Sequence, residues 1–273
     1  MTIREWMRMV QAHVSHVERF DLEVLLGVRL DMGRASLLAH LDDEISETMM
    51  EQLAEDEAAL AAHTPLQYVL GQAYFRDAVF YVNENVLIPR FDTEYLVEAV
   101  LERVTAPKAL VLDLCTGSGI IAISLKRAQK AWAVSASDLS EKALKVAQRN
   151  GAHLGAAIEW RQGDLFAPWA GQTFDAIVSN PPYISEEEYR DLAPEVHKEP
   201  VMALIADNEG LCFYERLTRE AVHYLKPGGW LCVEIGWQQG PAVVAMFEEN
   251  HFKEVSCLAD GQGHDRVVVG QLA

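Results

Sequence analysis

The sequence predicts an α/β protein: a mostly parallel sheet with an antiparallel edge, preceded by a small helical domain and a linking β-hairpin. Three observations predict it. Beyond residue 90 helical and strand-like patterns alternate, the strands are near-continuous apolar runs, and glycine and proline, sparse before residue 65, punctuate the chain often after it. Apolar strands alternating with helices imply a parallel sheet covered on both faces. The 273 residues allow one large domain or two ordinary ones, on a prior of roughly 150 residues each. With half its residues hydrophobic and 23% charged, the chain has the balance of a globular protein and not of a disordered or fibrous one.

Residues 1–65 read as a helical domain. Ile3, Met7, Val10 and Val14 share one helical face, residues 22–30 and 48–62 repeat the pattern, Ser46 is the expected N-cap of the last helix and Pro65 its stop. Up to Leu70 there are five arginines, no lysine and thirteen acids, an acidic surface read as a solvated face. Residues 66–89 read as a hairpin linker, with strands over 68–74 and 78–82 about the polar turn Arg76-Asp77. In the remaining domain, 90–273, helices are expected over 92–104, 120–129, 141–153, 211–225 and 241–250, and strands over 109–114, 133–137, 158–162, 174–179 and 230–235. The last pair, 251–258 and 266–272, has no intervening helix and predicts the antiparallel edge.

Lys+Arg 23 against Asp+Glu 41 gives a net charge of −18, so attraction to phosphate backbones is disfavoured and no nucleic-acid partner is expected. No apolar run approaches the ~20 residues of a membrane span. Residues 1–8 alternate charged and apolar side chains where a signal peptide would have an apolar core, so a cytoplasmic protein without membrane contact is expected. Cys115, Cys212, Cys232 and Cys257 form no Cys-x-x-Cys pair, and neither a disulfide framework nor a metal site is expected. His13 and His16, a helical pair, are read as surface or satisfied core positions.

The run Val111-Leu-Asp-Leu-Cys-Thr-Gly-Ser-Gly119 ends a strand and opens a helix. Gly117 and Gly119 let the backbone approach a ligand that a Cβ would push away, and open α/β sheets bind ligands in the crevice at such strand ends. Gly117-x-Gly119-x-x-Ala122, with Asp138 beyond it, also satisfies the dinucleotide fingerprint, so NAD remains a candidate ligand. Asp113, where a carboxylate can meet a cationic amine, and the methyl-transfer pattern below favour S-adenosyl-L-methionine. Asp138 ends the second strand and can accept both hydroxyls of a ribose, its alternative use being the N-cap of the next helix. Asp164, after the third strand, can accept from an adenine amino group, with turn formation as the competing role.

Strand 174–179 is followed at once by Asn180-Pro-Pro-Tyr183. Each proline fixes φ and cannot donate a backbone hydrogen bond, so the Pro181 carbonyl is expected on a stiff frame beside the Asn180 side-chain carbonyl. Two fixed acceptors can hold both N–H groups of one planar NH₂, with the Tyr183 ring as a flat surface against it. An Asn180 that accepts through its oxygen would keep its own NH₂ free for the cofactor.

This constellation resembles the class I S-adenosylmethionine-dependent methyltransferases that modify planar amino groups. Two branches share the Asn/Asp-Pro-Pro-Tyr motif, the DNA adenine-N6 methyltransferases and the glutamine-N5 methyltransferases of peptide chain release factors. The second resemblance covers nearly the whole chain: Thr64-Pro-Leu-Gln-Tyr-Val-Leu-Gly71, Val86-Leu-Ile-Pro-Arg90, Thr93-Glu94, Glu199-Pro200, Lys226-Pro-Gly-Gly229, Glu234-Ile-Gly236 and Asp265-Arg-Val-Val-Val-Gly270 look like that family's successive signatures. It implies a Rossmann-like methyltransferase sheet and release factors as protein partners. It further implies that Cys115, Thr116, Gly117, Ser118 and Gly119 wrap the methionine part of S-adenosyl-L-methionine, Asp138 holds the ribose and Leu165 borders the adenine. Asn180, Pro181, Pro182 and Tyr183 would bind the glutamine of a Gly-Gly-Gln tip, with Asn180, Pro181 and Tyr183 as the catalytic set. Arg90 and Glu94 belong to a family motif but equally suit an ion pair at the start of a helix, and Glu199 is open in the same way. The sequence departs from the family at Cys115 for a first glycine, Phe91 for a proline, Leu165 for an aromatic residue, and Phe75-Arg-Asp77 for an aromatic-glycine turn. The −18 charge and the absence of a basic recognition domain stand against the adenine branch.

Overall fold

A computed structural model describes residues 1–273. The chain divides into two compact units, Met1–Gln72 with Ala193–Lys198, and Ala73–Leu192 with Glu199–Ala273.

The first unit holds helices α1 (Ile3–His13), α2 (Arg19–Arg29), α3 (Arg34–Ala39), α4 (Glu47–Ala61) and α5 (Leu66–Leu70). Thr2 and Glu5 cap α1 reciprocally, and Ser46 caps α4 through Met49 N. Trp6, Val10, Leu22, Leu25, Leu26, Leu37 and Leu53 are fully buried between the helices. Not every acid here is solvated as the composition suggested. Asp56 is 3% exposed and receives both Arg29 Nε and Nη2 at 2.8 Å, while buried Glu23 receives Arg19 and Arg34. The segment Ala193–Lys198 is tied in by Glu195, whose Oε1 lies 2.6 Å from His63 Nδ1. His16 stacks on His63 at 3.9 Å with its Nε2 3.0 Å from Leu60 O.

The strand expected over 68–74 is corrected here. Residues Leu66–Leu70 are a helical turn, because Pro65 at φ −53° starts it and Gly71 at φ 69° closes it in the left-handed region. Leu66, Val69 and Leu70 then pack against the helical core, and β1 begins only at Gln72.

A two-stranded sheet, β1 (Gln72–Phe75, all but its first residue in the second unit) and β2 (Ala78–Tyr81), comes next. There follow α6 (Thr93–Arg103), β3 (Leu110–Leu114), α7 (Ile120–Ala128), β4 (Ala133–Asp138), α8 (Glu141–His153), β5 (Glu159–Gln162) and β6 (Phe174–Ser179). Then come α9 (Glu186–Arg190), α10 (Cys212–Ala221), β7 (Leu225–Glu234), α11 (Gly240–Glu249), β8 (Lys253–Ala259) and β9 (Asp265–Gln271). The seven-stranded order is β5-β4-β3-β6-β7-β9-β8, parallel from β5 to β7 and antiparallel at β9 and β8. Val111, Ala176 and Val178 pack in one apolar layer with α6 and α7, and Leu112, Leu114 and Ile177 in the other with α10 and α11. Both faces are thereby covered, as the apolar strands required. The helix expected over 211–225 stops at Ala221, since Lys226-Pro-Gly-Gly229 cannot continue it and instead extends β7. No helix is long and apolar enough to cross a membrane, and all four cysteines are free thiols.

Asn150 of α8 fixes the hairpin relative to the sheet. It is 2% exposed; its Oδ1 accepts from Tyr81 N at 2.8 Å, and its Nδ2 donates to Tyr81 O and Ser118 O at 3.0 and 2.9 Å. Asn150→Ala strands three backbone groups, each costing about 1–3 kcal/mol if left buried and unpaired. The expected outcome is a loss of roughly 2–4 kcal/mol in denaturant unfolding, and an unchanged midpoint would show that water replaces the side chain at no cost.

Candidate active site

The sheet registers bring the candidate residues together. Leu114 of β3 stands opposite Ser137 of β4 and Ser179 of β6, and Ser179 stands opposite Val233 of β7. The next residues along, Cys115, Asp138, Asn180 and Glu234, therefore come to one edge. The chain reverses its direction of travel across the sheet between β3 and β6, where open α/β sheets have their binding crevice. A cleft open to solvent lies over this edge. Cys115, Thr116, Gly117, Ser118, Asp138, Asp164, Leu165, Asn180 and Pro182 line it.

Cys115, Gly117 and Gly119 all take positive φ, 58°, 55° and 85°. A Cβ on Gly117 would meet no protein atom within 4 Å, so this glycine leaves open space at the cleft. Gly119 serves packing: its Cβ would stand 3.0 Å from Ile123 and 3.2 Å from Ala147 and Trp160, away from the lining residues. Cys115 reaches the same left-handed conformation without a glycine's freedom, and burial, with Asp138 nearby, raises its thiol well above the ordinary range.

Asp113 is also away from the cleft wall. It is fully buried behind the turn, where Oδ2 accepts from Thr116 Oγ1 at 2.6 Å and Ala122 N at 3.1 Å. These bonds tie the two ends of the turn together. Burial pushes its carboxyl up to about 7, and Oδ1 has no partner. Its position gives it the work of shaping the turn, where the sequence reading had it meet an amine.

Asp138 accepts from Gly117 N at 2.9 Å and Ser140 N at 2.8 Å, one bond per carboxylate oxygen, and each oxygen retains acceptor capacity. The N-cap of α8 is Ser140, not Asp138. Burial raises the Asp138 carboxyl, and the N–H groups of Ser140, Gly117 and Leu139 oppose that shift. Asp164 is held by Arg216 Nη2 at 2.8 Å, with Leu165 next to it at φ 44° and 4% exposed.

Asn180 donates from Nδ2 to Thr93 Oγ1 at 3.2 Å, and buried Glu234 stands beside it across the β6–β7 pairing. One of its two N–H groups is thus engaged by a protein hydroxyl. Pro182 reaches the cleft, whereas Pro181 and Tyr183 are outside its lining; Tyr183, partly buried, packs against the apolar layer that holds α10 and α11. Gln239 Nε2 donates to Tyr183 O at 3.0 Å and pins the loop. Arg90 pairs with buried Glu199, which also accepts from Ile88 N at 2.9 Å, while Glu94 accepts from Arg76 N at 3.1 Å. Arg90 and Glu94 therefore have separate partners, Glu199 and Arg76, and do not pair with each other. Sequence reasoning missed Thr93, Gln239 and the buried role of Glu234. The available signal was a threonine and an acid inside two motifs that had no assigned chemistry.

The donor set fits S-adenosyl-L-methionine: an open cradle at Gly117, carboxylates at the ends of β4 and β5, and an apolar border at Leu165.

A family model described as Methyltransferase small domain matches residues 91–207, and one described as PrmC N-terminal domain matches residues 2–71. The chain is 42% identical to the release factor glutamine methyltransferase of Enterococcus faecalis over 93% of its length and 92% of that protein. It is 38% identical to the Bacillus subtilis enzyme of the same name, over 98% and 96% of the two chains. A methyltransferase from Pyrococcus furiosus superposes with a TM-score of 0.55 at 16% identity, covering 83% of this chain and 98% of that one. A T. thermophilus 16S rRNA methyltransferase in complex with AdoMet and guanosine gives 0.55 at 19% identity, over 74% and 50% of the chains. These structures share the fold. The near full-length relatives establish that the chain belongs to the release factor glutamine methyltransferase family.

Proposed function

We propose that the cleft binds S-adenosyl-L-methionine along Cys115, Thr116, Gly117, Ser118 and Asp138, and presents it to a glutamine side chain held by Asn180 and the loop through Tyr183. The chain is an S-adenosylmethionine-dependent methyltransferase acting on the side-chain amide of glutamine in release factors, as its family membership makes it. The observation that carries the site assignment is the register that sets Cys115, Asp138 and Asn180 side by side at the sheet edge. When bound, the cofactor supplies an electrophilic methyl group on a sulfonium. The protein's part is to orient an amide nitrogen whose lone pair is delocalised into its carbonyl. The Asn180 oxygen accepts one substrate N–H and the Pro181 carbonyl the other, which returns electron density to nitrogen and aims it. Neither acceptor is a base; the nitrogen becomes acidic only once it carries the methyl group, and its proton then passes to water. Positioning can contribute up to ~7–11 kcal/mol, more than general-base assistance of ~10²–10⁴-fold, so no catalytic His or Lys is required.

The substrate tip is the glutamine of a Gly-Gly-Gln motif, and the helical unit docks the rest of the release factor. Its buried acids, Asp56 and Glu23, are paired with arginines inside the unit and serve its own fold. A chain shortened to begin at Thr64 should retain cofactor binding and lose the advantage of intact release factor over a Gly-Gly-Gln peptide. A soluble truncation that keeps this advantage would remove docking from the helical unit.

Asp138→Ala should weaken S-adenosyl-L-methionine binding in calorimetry by roughly tenfold to a hundredfold, the loss of charged hydrogen bonds of about 1.5–3 kcal/mol. Unchanged affinity would leave Asp138 as a tie between the turn and β4 alone. Asn180→Ala should slow single-turnover methylation at saturating cofactor and release factor by at least ~10²-fold, as for loss of a positioned polar group. Tyr183→Phe should be mild and Tyr183→Ala severe, since the ring packs and the phenol has no assigned role in the cleft.

A further inference from the structure

Behind the cleft wall lies a polar cluster that the proposed chemistry does not use. Glu234 ends β7 at 1% exposure, outside the cleft lining; the β6–β7 register sets it beside Asn180, which lines the cleft and donates to Thr93. Tyr214 of α10 donates its hydroxyl to the Glu234 backbone carbonyl at 3.0 Å, which holds the strand end. One carboxyl oxygen, Oε2, has no partner, and neither has buried Arg266 Nε.

The hydrogen-bond inventory fixes the direction of this cluster. An ionised carboxylate only accepts, a carboxamide donates only from nitrogen, and a hydroxyl can do both. Asn180 Nδ2 faces Thr93, the amide end that suits a carboxylate beside it, and its Oδ1 is turned away from that hydroxyl. Without an acceptor-only partner, the amide could rotate by 180° and offer the cleft a donor, which would repel a substrate N–H.

We propose that Glu234 is a positioning residue which, with Thr93, holds the Asn180 carboxamide so that its oxygen faces the substrate amide. This rests on the assignment of Asn180 as the acceptor of a glutamine N–H. The same chemistry extends to protonation. Burial raises the Glu234 carboxyl to about 7, opposed by Thr93, Arg266 of β9 and Asn180 and assisted by Asp92 just before α6. Arg266 is itself shared with Asp92 and Asp260 at 3.4 and 3.1 Å, and the Tyr183 and Tyr214 phenols, raised by burial, remain neutral beside it. Above this value Glu234 is ionised and the amide is held; below it the carboxyl carries a proton, becomes a donor on one side and releases the amide. The oriented state is therefore lost as pH falls through about 7.

The test compares full-length wild type with Glu234→Gln. With asparagine-selective ¹⁵N labelling, the Asn180 NH₂ resonances, identified by their absence in Asn180→Ala, are followed from about pH 6 to 8.5, the range around this titration. They should titrate near neutrality in wild type and stay fixed in Glu234→Gln. In single-turnover methylation of release factor, Glu234→Gln should lose at least ~10-fold in rate and the acid limb of the profile, with cofactor affinity unchanged. If Glu234→Gln does not fold, Thr93→Val and Thr93→Ser replace it, the first expected to be slow and the second restored. Native rate and profile in Glu234→Gln, or native rate in Thr93→Val, would overturn the positioning role. A native rate in Asn180→Ala would instead overturn the placement of the substrate amide, whereas a slow Asn180→Ala beside a native Glu234→Gln removes only the role of Glu234.

Discussion

The parallel pairing of β3 with β4 on one side and β6 on the other is the constraint on which the rest depends. Because Leu114 is opposite both Ser137 and Ser179, the chain must leave the sheet at the same level three times, at Cys115, Asp138 and Asn180. A slip of one residue in any pairing would turn every side chain of that strand to the other face. It would move Leu112 or Ile177, both fully buried now, out of the layer they fill and into the opposite one, so the packing of the two apolar layers also holds the site in register. Stability and function are in this sense specified by the same residues.

Two buried carboxyls lie directly behind the cleft wall, and both oppose folding when ionised. Asp113 and Glu234 are each raised to about 7 by burial. A carboxyl whose folded value lies above its unfolded value stabilises the fold when protonated, and that contribution disappears as pH rises from about 4 to about 7. Near neutral pH both groups therefore cost stability. Each is held in a position where its acceptor capacity fixes something at the cleft, the turn for Asp113 and the Asn180 amide for Glu234. Paired buried acids in the helical unit differ: Asp56 and Glu23 each have arginine partners and no role at the cleft.

Much of this was legible in the sequence because the strands are short apolar runs with sharp ends. The 174–179 strand and the 141–153 helix appear with the expected bounds, and Ser46 caps its helix. The misreadings share a cause. Leu66–Leu70 is an apolar run too short for periodicity to separate strand from helix, and only its flanking Pro65 and Gly71 decide the matter. The six-residue α3, with Leu37 as its one buried residue, shows no face at all. At the site, sequence gives which residues are present at a strand end but not which way they point. Asp113 and Gly119 lie within the glycine turn and yet face the interior, while Glu234 is distant in sequence from Asn180 and meets it only through the β6–β7 register.

The central claim is that Asn180 offers its oxygen to the substrate amide at the sheet edge beside the cofactor turn. A structure of the protein with S-adenosylhomocysteine and a Gly-Gly-Gln peptide tests it most directly. The account requires the glutamine NH₂ nitrogen within about 2.7–3.2 Å of Asn180 Oδ1, with Asn180 Nδ2 still turned to Thr93 and Glu234. A glutamine amide held elsewhere in the cleft, or an Asn180 amide turned to present its nitrogen, would contradict it.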